Sequence, residues 1–139
     1  MRSSPRRPVA ECSRVGAMER SDLCILLVED DASLRLLCRV SLELEGFAVL
    51  EAGTLAAARA AVSRSDVVLL DLNVGREDGR SLLRELKADD GAPPVVILTG
   101  SELDDDTVAI ADGLVAKPFA PGELAQAVLR AARVESPRG

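Results

Sequence analysis

Residues 24–31, CILLVEDD, decide the fold, because five apolar residues run directly into three acids. A short unbroken run of Ile, Leu and Val is typical of a strand that is buried on both faces of a parallel sheet. Three adjacent carboxylates repel one another, so they are either solvated residues at a helix start or partners of something positive. The rest of the chain decides between these two interpretations.

Short apolar runs alternate with amphipathic stretches from residue 23 onward. The runs predict strands over residues 24–28, 47–50, 67–70, 95–98 and 114–116. The stretches predict helices over residues 33–45, 54–63, 79–88 and 104–111, and a last helix from Pro121. In the first helix, the side chains expected to face the core are Leu34, Leu37, Cys38, Ser41 and Leu42. Strict alternation predicts an α/β domain with a doubly wound, five-stranded parallel sheet and helices on both faces.

Length and composition limit the classes of protein that fit. The 139 residues suffice for one domain, and 47% apolar with 29% charged residues is an ordinary globular balance. No apolar run approaches the roughly 20 residues of a membrane helix, so we expect no membrane insertion. The net charge of −6 argues against a nucleic-acid partner, and the absence of His excludes imidazole catalysis and His-ligated zinc.

The chain is divided by composition into an arm, a domain and a tail. Residues 1–21 are rich in Arg, Ser and Pro and lack periodicity, which predicts a disordered arm before a domain over residues 22–135 and a short tail over 136–139. Met18 is an alternative start of translation. Cys12, Cys24 and Cys38 have no metal-ligand spacing, and we expect the last two to be core thiols in a reducing compartment.

Polar side chains follow four of the predicted strands. Glu29 and Asp30 follow the first strand, Asp71 the third, Thr99 the fourth and Lys117 the fifth. In an open α/β sheet the functional crevice lies outside the carboxyl ends of the strands. Each residue alone has a structural explanation as a cap, a turn former or a surface charge. Their joint placement favours a functional site.

The chemistry these groups suggest is phosphoryl transfer to a carboxylate. Mg²⁺ prefers oxygen ligands, and the candidate ligands are Glu29, Asp30, Asp71 and the backbone carbonyl of Asn73. Three carboxylates, one Mg²⁺ and the Lys117 ammonium together make the pocket neutral, so that an incoming phosphate is not repelled. Asp71 can attack phosphorus because carboxylates form acyl phosphates, while Lys117 and the Thr99 hydroxyl contact the phosphoryl oxygens.

Four segments, VEDD, LLDLNVGREDG, VVILTG and AKPF, resemble in this order the signature segments of response-regulator receiver domains of two-component signalling. The resemblance covers about residues 23–134. It implies a flavodoxin-like fold with strand order 2-1-3-4-5 and a cis peptide before Pro118. It also implies a cytoplasmic signalling protein, rather than an enzyme, that is phosphorylated by a histidine kinase or a phosphotransfer protein. The implied roles are phosphoacceptor for Asp71, metal-binding acid pair for Glu29 and Asp30, switch hydroxyl for Thr99 and phosphate contact for Lys117.

Haloacid-dehalogenase-type phosphatases use a similar set of groups. Their nucleophilic Asp comes first in the chain, in a D-x-D pattern, and their acid pair comes last. Here the acid pair comes first, Asn73 stands at the second position of the pattern, and no length remains for a cap domain. We reject this alternative.

The chain departs from the receiver pattern at several positions. Leu114 stands where an aromatic switch residue is usual, and the segment from Thr99 to Lys117 is about four residues short, roughly one helical turn, which predicts a stunted fourth helix. Gly75 replaces the usual Pro, which we expect to loosen the loop after Asp71, and Gly100 stands where Ala is common. Asn73 and Ser101 are small polar residues, which favours a short-lived acyl phosphate.

Three functional hypotheses follow. The main one is a stand-alone receiver that binds a downstream protein according to its phosphorylation state. The second is an interaction module that kept the pocket but lost the switch. The third is a phosphorelay intermediate that passes its phosphoryl group to a histidine protein.

Overall fold

The structure, a computed structural model, describes residues 23–100 and 103–135. Its elements are β1 Cys24–Val28, α1 Ala32–Leu44, β2 Ala48–Ala52, α2 Leu55–Ala61 with a 3₁₀ turn Val62–Arg64, β3 Val67–Asp71, β4 Asn73–Val74, β5 Glu77–Asp78, α3 Arg80–Lys87, β6 Val95–Thr99, α4 Asp105–Ile110, β7 Gly113–Ala116 and α5 Pro121–Glu135. The predictions for the arm, the tail, Cys12, Met18 and Ser101 fall outside the described residues.

Five parallel strands form one sheet in the order β2-β1-β3-β6-β7, which confirms the predicted order 2-1-3-4-5 when the sheet strands alone are counted. In the register of the sheet Val28 pairs with both Ala52 and Leu70. Asp71 pairs with Leu98, so the carboxyl ends of the central strands are level. This edge is where the predicted site residues leave the sheet.

The central strands are buried because helices cover both faces of the sheet, as their unbroken apolar runs predicted. Alternate residues of one strand enter different cores. Ile25 and Leu27 pack in the core beneath α1 and α5, which also contains Cys38. Leu26 and Val28 pack in the core beneath α2 and α3. Cys24 and Cys38 are both buried, as expected of core thiols.

The prediction that Leu37 faces the core is wrong, because its side chain is 54% exposed. Helix α1 starts at Asp31, whose Oδ1 accepts hydrogen bonds from the backbone N–H groups of Ser33 and Leu34. Cys38 of this helix is fully buried, and adjacent residues of a helix are rotated by about 100° from each other. Leu37 therefore joins a stripe of exposed apolar side chains that also contains Leu36, Val40 and Leu44.

The segment after Asp71 forms a two-stranded antiparallel hairpin, β4–β5, that the sequence did not predict. Gly75 lies in its two-residue turn with φ +65°. Proline, whose φ is fixed near −65°, cannot adopt this conformation. The expectation that Gly75 merely loosens the loop is therefore wrong, because it closes a defined turn.

Helix α4 has only six residues, which confirms the prediction of a stunted fourth helix. The second strand begins one residue later than predicted, because the Phe47 N–H donates to the Leu42 carbonyl at the end of α1. Within the described part of the chain, no helix has the length and apolar character needed to cross a bilayer.

Candidate functional site

Three charged side chains from different strand ends meet in one pocket. Lys117, which follows β7, places its Nζ 2.6 Å from Oδ2 of Asp71 and 3.5 Å from Oε1 of Glu29. Asp71 is the last residue of β3, and Glu29 directly follows β1. Both carboxylates are buried, with 4% and 2% of the residue exposed. The lysine thus supplies the positive charge that lets two carboxylates lie together.

Asp71 is positioned by the backbone on either side of it. Its Oδ1 accepts a hydrogen bond of 2.8 Å from the backbone N–H of Asn73. The N–H of Gly79 donates to the Leu72 carbonyl at 2.7 Å, and a Cβ on Gly79 would lie 2.7 Å from the Asp71 carbonyl oxygen. Only glycine fits this close approach of the α3 start to the end of β3.

Glu29 is fixed by β2 and by the start of α1. Its N–H donates to the Ala52 carbonyl at 3.0 Å, and its Oε2 accepts a 3.1 Å bond from the Asp31 N–H. Its Oε1 is buried and accepts no hydrogen bond from any described residue, and the Lys117 ammonium lies 3.5 Å from it. A buried carboxylate oxygen with so little compensation is costly, and a second cation beside Lys117 would stabilise it.

The pKa values of the three groups depend on their mutual contacts. Burial, together with the hydrogen bond to Asp71, raises the pKa of Glu29 to about 7. Burial alone would raise the pKa of Asp71 as well. Hydrogen bonds from Glu29, Lys117 and the Asn73 amide outweigh it, so this pKa lies below its usual value. Burial likewise opposes the charge of Lys117, yet its contacts with Asp71 and Glu29 raise its pKa. Asp71 is therefore ionised and Lys117 protonated at neutral pH.

The other predicted site residues lie at the edge of this pocket. Asp30 is exposed, and its Oδ2 lies 4.0 Å from the position of a Cβ on Gly75. Thr99 is buried at the end of β6, one residue past the Asp71–Leu98 pair. Asn73 contacts Asp71 through its N–H, whereas the prediction concerned its carbonyl.

The donor set of the pocket suits a hard cation. Within residues 23–100 and 103–135, no three acidic side chains converge into a ready-made metal cage. Mg²⁺ does not require one, because it keeps several waters and binds through one or two carboxylates. The unsatisfied Oε1 of Glu29 and the exposed carboxylate of Asp30 fit that mode of binding.

Arg35 is a contact of the site that the sequence analysis missed. Its Nη1 donates to the backbone carbonyl of Glu29 at 2.7 Å. The sequence signal that could have identified Arg35 is a basic residue in the first turns of the helix that follows the acid pair. The peptide between Lys117 and Pro118 is cis, as the resemblance to receiver domains implied.

Comparison with known proteins agrees with this geometry. Residues 25–129 match the response regulator receiver domain family. Over 113 residues the chain is 38% identical to the KDP operon transcriptional regulatory protein KdpE of Escherichia coli, an alignment covering 78% of this chain and 50% of KdpE. It is 35% identical over 117 residues to the phosphate regulon transcriptional regulatory protein PhoB of Pseudomonas aeruginosa, covering 76% of this chain and 51% of PhoB.

Solved structures show the same similarity. A response regulator receiver domain protein from Clostridium thermocellum superimposes with a TM-score of 0.73 at 27% identity, covering 82% of this chain and 97% of that one. A CheY-like receiver domain protein from Methanospirillum hungatei gives a TM-score of 0.73 at 25% identity, covering 84% and 98%.

The fold and its acidic pocket define a signal-receiving α/β domain. The chain belongs to the response regulator receiver domain family. It spans about half the length of the curated relatives it matches.

Proposed function

We propose that the chain is a phosphoacceptor receiver in which Asp71 takes a phosphoryl group from a histidine kinase or a phosphotransfer protein. The observation that carries this proposal is the buried Asp71 carboxylate with the Lys117 ammonium 2.6 Å from its Oδ2. The lowered pKa of Asp71 keeps it ionised and therefore nucleophilic. Its role is signalling in the cytoplasm rather than enzymatic turnover.

In the proposed step, a carboxylate oxygen of Asp71 bonds to phosphorus while the bond from phosphorus to the donor's imidazole nitrogen breaks. The leaving nitrogen keeps the electron pair of that bond, and the donor ring departs as neutral imidazole because its other nitrogen carries a proton. Transfer of this kind depends mainly on positioning and charge stabilisation. Lys117 is already beside the acceptor and can follow the phosphoryl oxygens, and Thr99 lies at the adjacent strand end.

Glu29, Asp30, Asp71 and the Asn73 carbonyl would hold the Mg²⁺ of this site. The ion would supply charge neutralisation for the phosphoryl oxygens. Without it, the pocket carries more acidic than basic side chains, which disfavours the approach of a phosphate. The buried unsatisfied Oε1 of Glu29 supports its place in the ligand set.

The output in this proposal is phosphorylation-dependent binding to a downstream protein. The relatives KdpE and PhoB are named as transcriptional regulators, but a net charge of −6 disfavours a nucleic-acid partner. We therefore place protein contact, not nucleic-acid contact, in the part of the chain that contains the receiver.

One observation favours a second candidate, an interaction module that does not respond to phosphorylation. Leu114 is 42% exposed on β7, where receivers usually carry an aromatic switch residue. An aliphatic side chain at that position removes the aromatic residue that usually transmits the state of the pocket to the partner-binding face.

The test is incubation with phosphoramidate and Mg²⁺, followed by intact-mass analysis. We expect one phosphoryl group on the wild-type chain, none on Asp71→Asn, and normal incorporation on Asp90→Asn, which changes an exposed acid. Equal incorporation in Asp71→Asn would overturn the assignment of the acceptor.

Amide NMR spectra of the same samples separate the two candidates. Phosphorylation that shifts the amides of β6 and β7 supports a working switch. Incorporation that leaves those amides unchanged supports the interaction module. Onward transfer from the phosphorylated chain to a histidine protein would indicate a relay intermediate.

A further inference from the structure

The Arg35 guanidinium joins three elements beside the pocket. From α1, its Nη1 donates to the Glu29 carbonyl at 2.7 Å, and its Nε donates to Oε1 of Glu51 on β2 at 3.0 Å. The side chain is largely covered, with 24% exposed. Arg35 thus connects the end of β1 to the edge strand β2 through two hydrogen bonds made at once.

Glu51 is itself fixed on both carboxylate oxygens. While Oε1 accepts from Arg35, Oε2 accepts a 2.9 Å bond from Nη1 of Arg39, one helical turn further along α1. Glu51 pairs with Leu27 in the register of the sheet, so its backbone is part of the β1–β2 ladder. A carboxylate aligned in this way holds the guanidinium in one orientation.

These contacts fix the orientation of the peptide that joins Glu29 to Asp30. The Glu29 N–H is bonded to Ala52 of β2, and its carbonyl is bonded to Arg35. Because a peptide unit is planar, fixing the carbonyl oxygen also fixes the orientation of the Asp30 N–H and hence the direction in which the acid pair leaves β1.

We propose that Arg35 is a positioning residue for the acid pair, acting through the peptide plane between Glu29 and Asp30 and aligned by Glu51. The inference deepens the proposed function and rests on it, since its consequence is the affinity of the pair for Mg²⁺. Arg35 touches the backbone of Glu29 and neither the pocket's Lys117 nor Asp71. Its effect is therefore on geometry rather than on the transfer itself.

The guanidinium is required because it carries two donors at a fixed separation. A lysine ammonium keeps the charge, but it is a single point that cannot reach Glu51 and the Glu29 carbonyl in the same way. Gly53 supports the arrangement, because a Cβ there would lie 3.2 Å from Arg35 Nη1 and would press on this contact.

The test compares Arg35→Lys with Arg59→Lys. Arg59 also donates two hydrogen bonds at once, because its Nε and Nη2 each lie 2.9 Å from a carboxylate oxygen of Glu85. These bonds involve none of the pocket residues. Isothermal titration calorimetry measures the Kd for Mg²⁺. Phosphoramidate gives the phosphorylation rate at saturating Mg²⁺, and thermal unfolding reports stability.

For Arg35→Lys we expect Mg²⁺ binding weakened about tenfold, the scale typical of groups that orient metal ligands, with a saturating rate near that of the wild type. Arg59→Lys keeps the wild-type affinity. Amide NMR of the metal-free variant should show shifted Glu29 and Asp30 signals, which lost stability alone does not produce.

Unchanged Mg²⁺ affinity in Arg35→Lys, with or without a loss of stability, overturns the inference and leaves the proposed function intact. A wild-type chain that binds no Mg²⁺ and accepts no phosphoryl group instead overturns the proposed function, and this inference with it. Glu51→Gln, which weakens the alignment of Arg35, should lower the affinity in the same direction.

Discussion

Glu29 is a buried carboxylate that lies beside a second carboxylate, and the lysine between them compensates only part of their charge. Burial is the main reason that its pKa is raised to about 7 from an ordinary value of 4.5. In the absence of metal, folding therefore favours the protonated form of this side chain. The chain contains no histidine, so no imidazole titrates in the same pH range.

This pKa predicts the pH dependence of folding. A carboxyl group whose folded-state pKa is raised stabilises the fold most below its unfolded value, and this contribution is lost as the pH rises through the folded value of about 7. We expect the free energy of unfolding, measured with urea in metal-free buffer, to fall between about pH 5 and pH 7.5. Glu29→Gln should lose this fall, whereas Glu85→Gln, on the surface, should keep it. An equal slope in Glu29→Gln and wild type would contradict the prediction.

At the residue scale, the sequence identified the chemical groups better than their arrangement. Glu29, Asp71 and Lys117 could be predicted because each follows an apolar run, and parallel strands bring such residues to one edge. That Lys117 lies against both carboxylates while Asp30 remains exposed could not be predicted. It depends on side-chain directions at three strand ends, which no local pattern contains.

At the scale of elements, α4 is the shortest α-helix among the described residues. Six residues are too few for a helix to be stable by itself, so tertiary contacts must stabilise it. Arg80 at the start of α3 donates through Nε to Oδ1 of Asp104 at 3.0 Å and to Oγ1 of Thr107 at 3.2 Å. The Thr107 hydroxyl also donates to Asp104 at 2.6 Å. These hydrogen bonds connect the N-terminal ends of the two helices.

Removal of this connection should loosen α4 without unfolding the domain. In Arg80→Ala we expect hydrogen exchange of the amides of residues 108–110, which are bonded within the helix, to become about tenfold faster, because local opening then costs less free energy. Amides of β1 and β3 should exchange as in the wild type. Arg84→Ala, on the same helix with an exposed side chain, is the matched control. Unchanged exchange in α4 of Arg80→Ala would show that apolar contacts alone stabilise the helix.

The elements that the sequence predicted incorrectly share a physical cause. Helix α1 has more apolar residues than its buried side holds, and Leu36, Leu37 and Val40 are exposed, so its 3.6-residue periodicity did not decide between Leu37 and its neighbours. The β4–β5 hairpin has two-residue strands, too short for any alternation to show. The strands β1, β3 and β6 were predicted because each is a buried apolar run, whereas β2 and β7 are only partly buried and give a weaker pattern.

At the scale of the whole molecule, the sheet separates two apolar cores that share every central strand. Leu69 packs in the core beneath α1 and α5, and its neighbour Leu70 packs in the core beneath α2 and α3. Both side chains are fully buried. Because the same backbone carries both cores, neither can be lost while the sheet keeps its register. The strand ends that carry the pocket therefore depend on both layers of helices.

This coupling predicts a single cooperative unfolding transition. Leu69→Ala and Leu70→Ala should each lower the free energy of unfolding by about 2–5 kcal/mol, the usual cost of a cavity in a core, without changing the denaturant slope. Circular dichroism in urea measures the free energy of unfolding and the denaturant slope, since the chain has no Trp or Tyr to serve as a fluorescent probe. Leu44→Ala, at an 83% exposed position of α1, should change stability by no more than about 0.5 kcal/mol. A second transition in either core variant, or a slope that falls in only one of them, would show that the two layers unfold separately. In that case helices on one face could be lost while the other face still held the acidic pocket together.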